Sequence, residues 1–361
     1  MIGKSAIKSA VALAVMAASV GAMAQSSVTL FGVVDVAMTR VSGDGAGNRI
    51  GLSSGSSAPS RLGFRGTEDL GGGLSAGFWL EGSLGVDAGT GTAGGALFFQ
   101  RRSTVSLASN TLGELRLGRD FAPTWWNLAQ LDPFGARGIG TTQAANNFGY
   151  STTWNNNTVG YILPQNLGGF YGQLQYAFGE KNSNSPNDKQ GNFLGGRFGY
   201  QSGPLNLVGS YGQTKQAIGA SDVAPVTLGR DLKVANIAAT WDFGVVKPIV
   251  FYGTEKVDGN PTGNNRLNSL LIGATAPIGA GELRATVARY DIKDSANDFN
   301  KFALGYGYNL SKRTQVYGTV ARLANKGAGT RSLSADGLAT LAPIRAGGNS
   351  SGFEVGIRHA F

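Results

Sequence analysis

The chain of 361 residues has no cysteine and one histidine, His359. The first absence removes disulfides as a source of stability. Together the two exclude an ordinary zinc site and leave a nucleophilic triad without a base, so no catalysis, cofactor or metal site is expected. No stretch after the first 24 residues approaches the length of a membrane-spanning helix. Glycine, by contrast, is abundant at 57 residues, a composition hostile to helices and suited to strands that curve or pack closely.

The amino-terminus reads as a secretory signal. Lys4 and Lys8 are followed by an apolar run at 10–20 and the small-x-small site Ala22-Met23-Ala24. The run is too short to cross about 30 Å of hydrocarbon. A signal peptide at 1–24 and one domain at 25–361 are expected. An exported chain without spanning helices can enter a membrane only as a closed barrel, because lipid offers unpaired backbone groups no partner. The mean hydropathy of −0.06 is compatible with that, since a barrel needs only one apolar face.

The rest of the chain repeats one unit, an alternating segment of about ten residues and then a connection. Segment 28–40 places Val28, Leu30, Val34, Val36 and Met38 on one face. Segment 60–70 sets Leu62 and Phe64 against Arg61 and Arg65, and 74–84 sets Leu74, Ala76, Phe78 and Leu80 against Ser75, Trp79 and Glu81. Sixteen such segments are countable, the last at 352–361. There Phe353, Val355, Ile357 and His359 alternate with polar or small residues, and the chain ends on Phe361, as a closing strand that pairs with the first would. Short connections such as Gly71-Gly72-Gly73 alternate with long ones such as 41–59 and 122–151, the signature of hairpins with turns on one side and loops on the other. The connection 122–151 is the longest inside the array, and loops of that length are usually functional; folded inward it would narrow a lumen.

The formal charge is +9, with 31 Lys and Arg against 22 Asp and Glu and no clustered basic runs. Secretion argues against nucleic acid as a partner, and an anion-attracting lumen becomes the reading of interest. Arg61 and Arg65 share a face opposite Leu62 and Phe64. An arginine on a lipid face costs ~2–4 kcal/mol near the midplane, so both are expected to face water. Arg101 and Arg102 are adjacent, so only one of them should line the pore. Arg119 has the parity of Leu115 and Leu117, which turns it outward unless the strand bends. An acidic residue of the long loop, Asp132, facing a basic wall would set a transverse field across the water path. Gly89-Thr90-Gly91-Thr92-Ala93-Gly94 matches a dinucleotide fingerprint but opens no helix, and is read as chance.

Several blocks carry a resemblance. They are Ser27-Val28-Thr29-Leu30-Phe31-Gly32-Val33-Val34-Asp35, Ser60-Arg61-Leu62-Gly63-Phe64-Arg65-Gly66-Thr67-Glu68-Asp69-Leu70, 113–119, Asp132-Pro133-Phe134-Gly135 and Arg358-His359-Ala360-Phe361. Over essentially the whole of 25–361 the chain resembles the general porins of Gram-negative outer membranes, particularly the β-proteobacterial type. The resemblance implies an all-β, sixteen-stranded transmembrane antiparallel barrel with short periplasmic turns, long extracellular loops and the third loop folded into the pore. It implies a homotrimer in outer-membrane lipid that passes small hydrophilic solutes and anions by diffusion. It places basic wall residues at Arg61, Arg65, Arg101 and Arg119 and the loop's acidic position near Asp132. The chain departs where many relatives carry an arginine just before an Asn-x-Val segment; Asn155 stands there, and Arg137 in the loop is the candidate substitute. Two rival readings are a substrate-specific channel for an organic acid or sugar and a secreted soluble β protein.

Overall fold

The computed structural model describes residues 27–91, 99–142, 153–218, 227–258, 266–338 and 341–361. The expected signal peptide lies outside the described residues, as does the half of the fingerprint match beyond Gly91. Sixteen antiparallel barrel strands follow one another in chain order. They are β1 (Ser27–Gly43), β2 (in two segments, Gly47–Ser54 and Arg61–Gly71), β3 (Leu74–Gly85), β4 (Arg102–Ser109) and β5 (Gly113–Phe121). The helix α1 (Pro123–Leu131) follows, then β6 (Trp154–Ile162), β7 (Phe170–Ala177), β8 (Phe193–Ser202), β9 (Leu205–Ile218) and β10 (Thr227–Trp241). The set ends with β11 (Lys247–Val257), β12 (Arg266–Ile278), β13 (Gly281–Ile292), β14 (Phe299–Asn309), β15 (Thr314–Asn325) and β16 (Asn349–Ala360). A two-residue strand, Thr90–Gly91, merely folds back antiparallel on the end of β3, Gly91 opposite Leu84.

Each strand pairs with its chain neighbours, and β16 returns to β1 with Val33 opposite Ala360 and Gly43 opposite Ser350. Closure leaves no free sheet edge, which lipid would penalise. The last residue takes part, because the Gly32 N–H donates to the Phe361 carbonyl at 3.0 Å and the Phe361 N–H to the Gly32 carbonyl at 3.1 Å. Gly32 is required there: a Cβ on it would lie 2.3 Å from the Phe361 ring. His359 sits on the outside of the same strand, its ring nitrogen 2.9 Å from the Thr314 hydroxyl.

Burial is inverted relative to a soluble protein. Val28, Leu30 and Met38 are exposed on β1, whereas Asp35 and Thr39, in the opposite phase of the alternation, are buried. Val355, Ile357 and Phe361 are likewise exposed, and Glu354 is buried. The alternation therefore turns its apolar face out to hydrocarbon and its polar face in.

The first connection differs from its expectation. Residues 41–59 are not one long loop: β1 runs to Gly43, turns tightly through 44–46, and returns as the first segment of β2. The bend at 55–60 that separates the two segments adds four residues to the register, and the second segment then pairs with the start of β1, Arg61 opposite Val33. Periodicity lost the segment because Gly47, Asn48, Arg49 and Gly51 dilute its alternation.

Candidate functional site

The third loop follows β5. Within the connection 122–151 lies the helix α1, with Pro123 in its first turn and Trp125, Leu128 and Leu131 buried. It packs against β7–β10 on the inside of the barrel, so the loop does fold inward. The Asn127 amide donates to the Asn236 side-chain oxygen at 2.6 Å, and the Asn236 amide donates to the Thr124 carbonyl at 3.0 Å. The loop then runs along the far wall. Lys301 on β14 donates to the Thr141 carbonyl, Thr142 meets the Tyr290 hydroxyl at 3.1 Å, and the Ile139 N–H donates to Glu354 on β16 at 3.2 Å. Leu128, Leu131, Phe134 and Ile139 from the loop share one apolar cluster with Val208, Phe251, Leu271, Tyr290 and Ala303 from the strands.

That cluster explains a feature of the sequence. Along β11 and β12, Ile249-Val250-Phe251-Tyr252 and Leu270-Leu271-Ile272 are apolar in both phases of the alternation. Val250, Tyr252, Leu270 and Ile272 face out, and Phe251 and Leu271 face in and need a cover. The loop is the cover. Strands β2–β5 point charges inward instead, and there the water path remains.

A cavity of about 710 Å³ occupies that space, lined by six arginines (Arg61, Arg101, Arg102, Arg116, Arg137, Arg197) and two carboxylates (Glu81, Asp120), with Trp79, Phe121, Trp125, Trp126 and Tyr171 among them. Glu81 takes Arg101 Nε at 2.5 Å, Trp79 Nε1 at 3.0 Å and, more distantly, Arg61 Nε at 3.8 Å. Asp120 takes Arg116 Nη1 at 2.7 Å and Arg102 Nε at 3.8 Å, and Arg116 also pairs with Glu114 at 3.0 Å. Arg197 makes no ion pair among the described residues; its guanidinium lies over the Tyr171 ring, 5.4 Å from the centroid.

The sequence-predicted residues separate on this geometry. Arg61 and Arg101 line the cavity together. Arg102 lines it too, against the expectation that only one of the adjacent pair could: Arg101 precedes the first residue of β4, where strict alternation does not yet apply, and its backbone N–H already bonds the Glu81 carbonyl. Arg65 faces the lumen nearer the short turns, in a separate cavity of about 390 Å³, stacked between Phe31 and Trp79 at 5.4 and 5.3 Å. Arg119 is absent from the lining of either cavity. It keeps the parity of the exposed Leu115 and Leu117 and binds the Gln100 carbonyl and the Asn156 side chain, so simple alternation described it better than the resemblance did.

Asp132 corrects a further expectation. It does not face the basic wall across the water path. It is buried inside the loop, where its carboxyl accepts the N–H groups of Phe134 at 2.9 Å, Ala136 at 3.2 Å and Thr142 at 2.8 Å. Burial pushes this carboxyl above the usual carboxylate range, with the three donors and Lys301 acting in the opposite direction. Arg137 does enter the cavity, reaching Asp336 of the last loop at 2.9 Å. Burial pulls its guanidinium down from its ordinary value, Asp336 opposes this, and Arg101 adds to it. Asn155 makes no replacement cation; its amide donates to Gln175 at 2.8 Å.

Arg116 and Arg197 were missed in the sequence. The signal for Arg116 was present, since it alternates with Leu115 and Leu117 as Arg61 does with Leu62. Arg197 lies beside Phe198 in a segment whose glycines at 195, 196 and 199 blur the pattern.

A closed antiparallel barrel, apolar outside and arginine-lined within, is a channel of the outer membrane. The family model for Gram-negative porins matches residues 10–328, and the chain belongs to that family. It is 44% identical to outer membrane porin protein 32 of Delftia acidovorans over 98% of this chain and 99% of that one. Among solved structures it resembles the anion-selective porin from Comamonas acidovorans, with 40% identity, a TM-score of 0.82 and coverage of 93% and 100% of the two chains. It also shares its fold with the trimer form of OmpT from Vibrio cholerae, at 14% identity, a TM-score of 0.64 and coverage of 93% and 99%. The chain is thus an outer-membrane porin.

Proposed function

We propose that this porin is anion-preferring, that its selectivity is set by Arg61 of β2, Arg101 and Arg102 at the start of β4, Arg116 of β5, Arg197 of β8 and Arg137 of the third loop, and that it works as a homotrimer exported by its segment 1–24. One observation carries the preference: six guanidinium groups and two carboxylates line the same cavity. Charge of one sign inside a low-dielectric wall raises the local concentration of the opposite ion. The name of the Comamonas acidovorans structure is in accord with this. Solutes pass by diffusion, admitted by width and by field rather than by tight binding. Trimer assembly is supported by the shared fold with a channel solved as a trimer.

A planar-bilayer recording in a salt gradient tests the preference. The reversal potential is expected on the anion side and is expected to move toward the cation side in an Arg61→Gln, Arg197→Gln double variant. Arg65→Gln should move it less, because its charge lies off the main cavity, stacked on two rings. An unmoved potential in the double variant removes these residues from the selectivity site.

A further inference from the structure

We propose that the arginine cavity is a binding site for aromatic carboxylates, small planar anions carrying one ring, seated between the loop tryptophans and Arg197. The proposal deepens the anion-preferring reading and rests on it.

A path for hydrated inorganic ions needs water and charge but no aromatic surface. This cavity nevertheless presents Trp79, Phe121, Trp125, Trp126 and Tyr171 beside its arginines. The rings of the loop are organised: Phe121 stacks on Trp125 at 5.0 Å and meets Trp126 at 5.1 Å, and Trp125 meets Trp154 at 6.3 Å. Phe121 and Trp125 are buried within that group, whereas Trp126 is only half-buried and lines the open space. It is the ring surface available to an entering molecule.

The charges are sorted in a complementary way. Arg101, Arg102 and Arg116 each pair with a carboxylate of the wall. Arg197 pairs with none among the described residues, and among them its Nε is buried without a hydrogen-bond partner, as is the Nε of Arg137. Arg197 and Tyr171 also line a neighbouring cavity of about 370 Å³ with the amides of Asn127, Gln130 and Asn206. Arg197 therefore lies where the two cavities meet, with no carboxylate partner among the described residues.

Chemistry selects the ligand. An aliphatic anion would answer only the guanidinium, and a neutral ring would answer only the tryptophans. A benzoate-like molecule answers both, by stacking and by a charge-assisted hydrogen bond. The cavity lies within the range of ~300–1,000 Å³ usual for small-molecule sites. Ring stacking alters affinity by only about twofold to tenfold, which leaves binding weak enough for the solute to depart.

The experiment measures chloride conductance of the intact porin in a bilayer while sodium benzoate, cyclohexanecarboxylate or acetate is added. Benzoate is expected to block at a concentration several-fold below the other two. Trp126→Leu should raise its half-blocking concentration about twofold to tenfold, Trp126→Phe should retain the block, and Arg197→Gln should weaken it. Benzoate no stronger than acetate overturns the site, and cyclohexanecarboxylate equal to benzoate overturns its aromatic character. Neither result depends on a variant that must fold. The reversal potential in a chloride gradient, taken on the same membranes, reports separately on anion preference. An anion-preferring channel indifferent to benzoate ends this proposal alone.

Discussion

Replacing Asp132 should loosen the third loop while leaving the barrel closed. Its carboxyl gathers three backbone N–H groups, from Phe134 and Ala136 two and four residues on and from Thr142 ten residues on, so one side chain ties both ends of the loop's return. A buried donor left without a partner costs about 1–3 kcal/mol. In Asp132→Asn the amide can turn its NH2 toward the single donor on Oδ1, the Phe134 N–H, and keep the two on Oδ2, so the loss is that of one bond, about 1–3 kcal/mol. Asp132→Ala loses all three, roughly three times as much on the same scale. Lys301, which donates to the Thr141 carbonyl and lies near Asp132, would also lose its opposite charge. None of these bonds belongs to the strand ladder, so heat-modifiable mobility in detergent should be unchanged. Single-channel recording is the assay. Open-channel noise should rise in the order wild type, Asp132→Asn, Asp132→Ala, and trypsin should cut at Arg137 more readily in the same order. Asp132→Ala channels with wild-type conductance, noise and protease resistance would refute the view that this carboxyl holds the loop.

Gly32→Val should impair barrel closure, because its side chain would collide with the Phe361 ring at the β1–β16 seam and with the Arg61 carbonyl 2.8 Å away; the check is the fraction of heat-modifiable barrel recovered on refolding, expected to fall well below wild type. Gly138→Ala should displace the loop from β16, since Gly138 has φ +60° and a Cβ there would lie 2.5 Å from Glu354 and from the Ser56 carbonyl; altered single-channel conductance is the readout. Asp336→Asn should do little. Its partner Arg137 is mostly shielded, but Asp336 itself is 68% exposed, and such pairs are worth ~0–1 kcal/mol. A conductance change as large as that of Gly138→Ala would mean the link between the two loops bears more than solvent screening allows.

Strand identity was legible wherever a strand has one wet and one greasy face. β1, the second segment of β2, β3 and β16 read clearly because Val, Leu and Phe alternate there with charged or small residues. Arg61 was legible for the same reason, as its neighbours Leu62 and Phe64 fix the sense of the alternation. The first segment of β2 was not, because its glycines and polar residues carry no period. The arginine pair at 101–102 misled because periodicity assumes a strand that has already begun. Asp132 misled because a carboxylate that faces a pore and one that staples its own loop have the same spelling.

The sequence by itself determined a closed barrel of sixteen strands with its seam at Phe361, because hydrocarbon outside and water inside impose a period of two on most of its strands. Only the tertiary structure decided which wall the third loop covers, and hence which arginines meet water. Strands β11 and β12, apolar on both faces, hold the loop by burying Phe134 and Ile139 in one cluster with Phe251 and Leu271, and that cluster joins residues more than a hundred positions apart. No local pattern records a contact of that range.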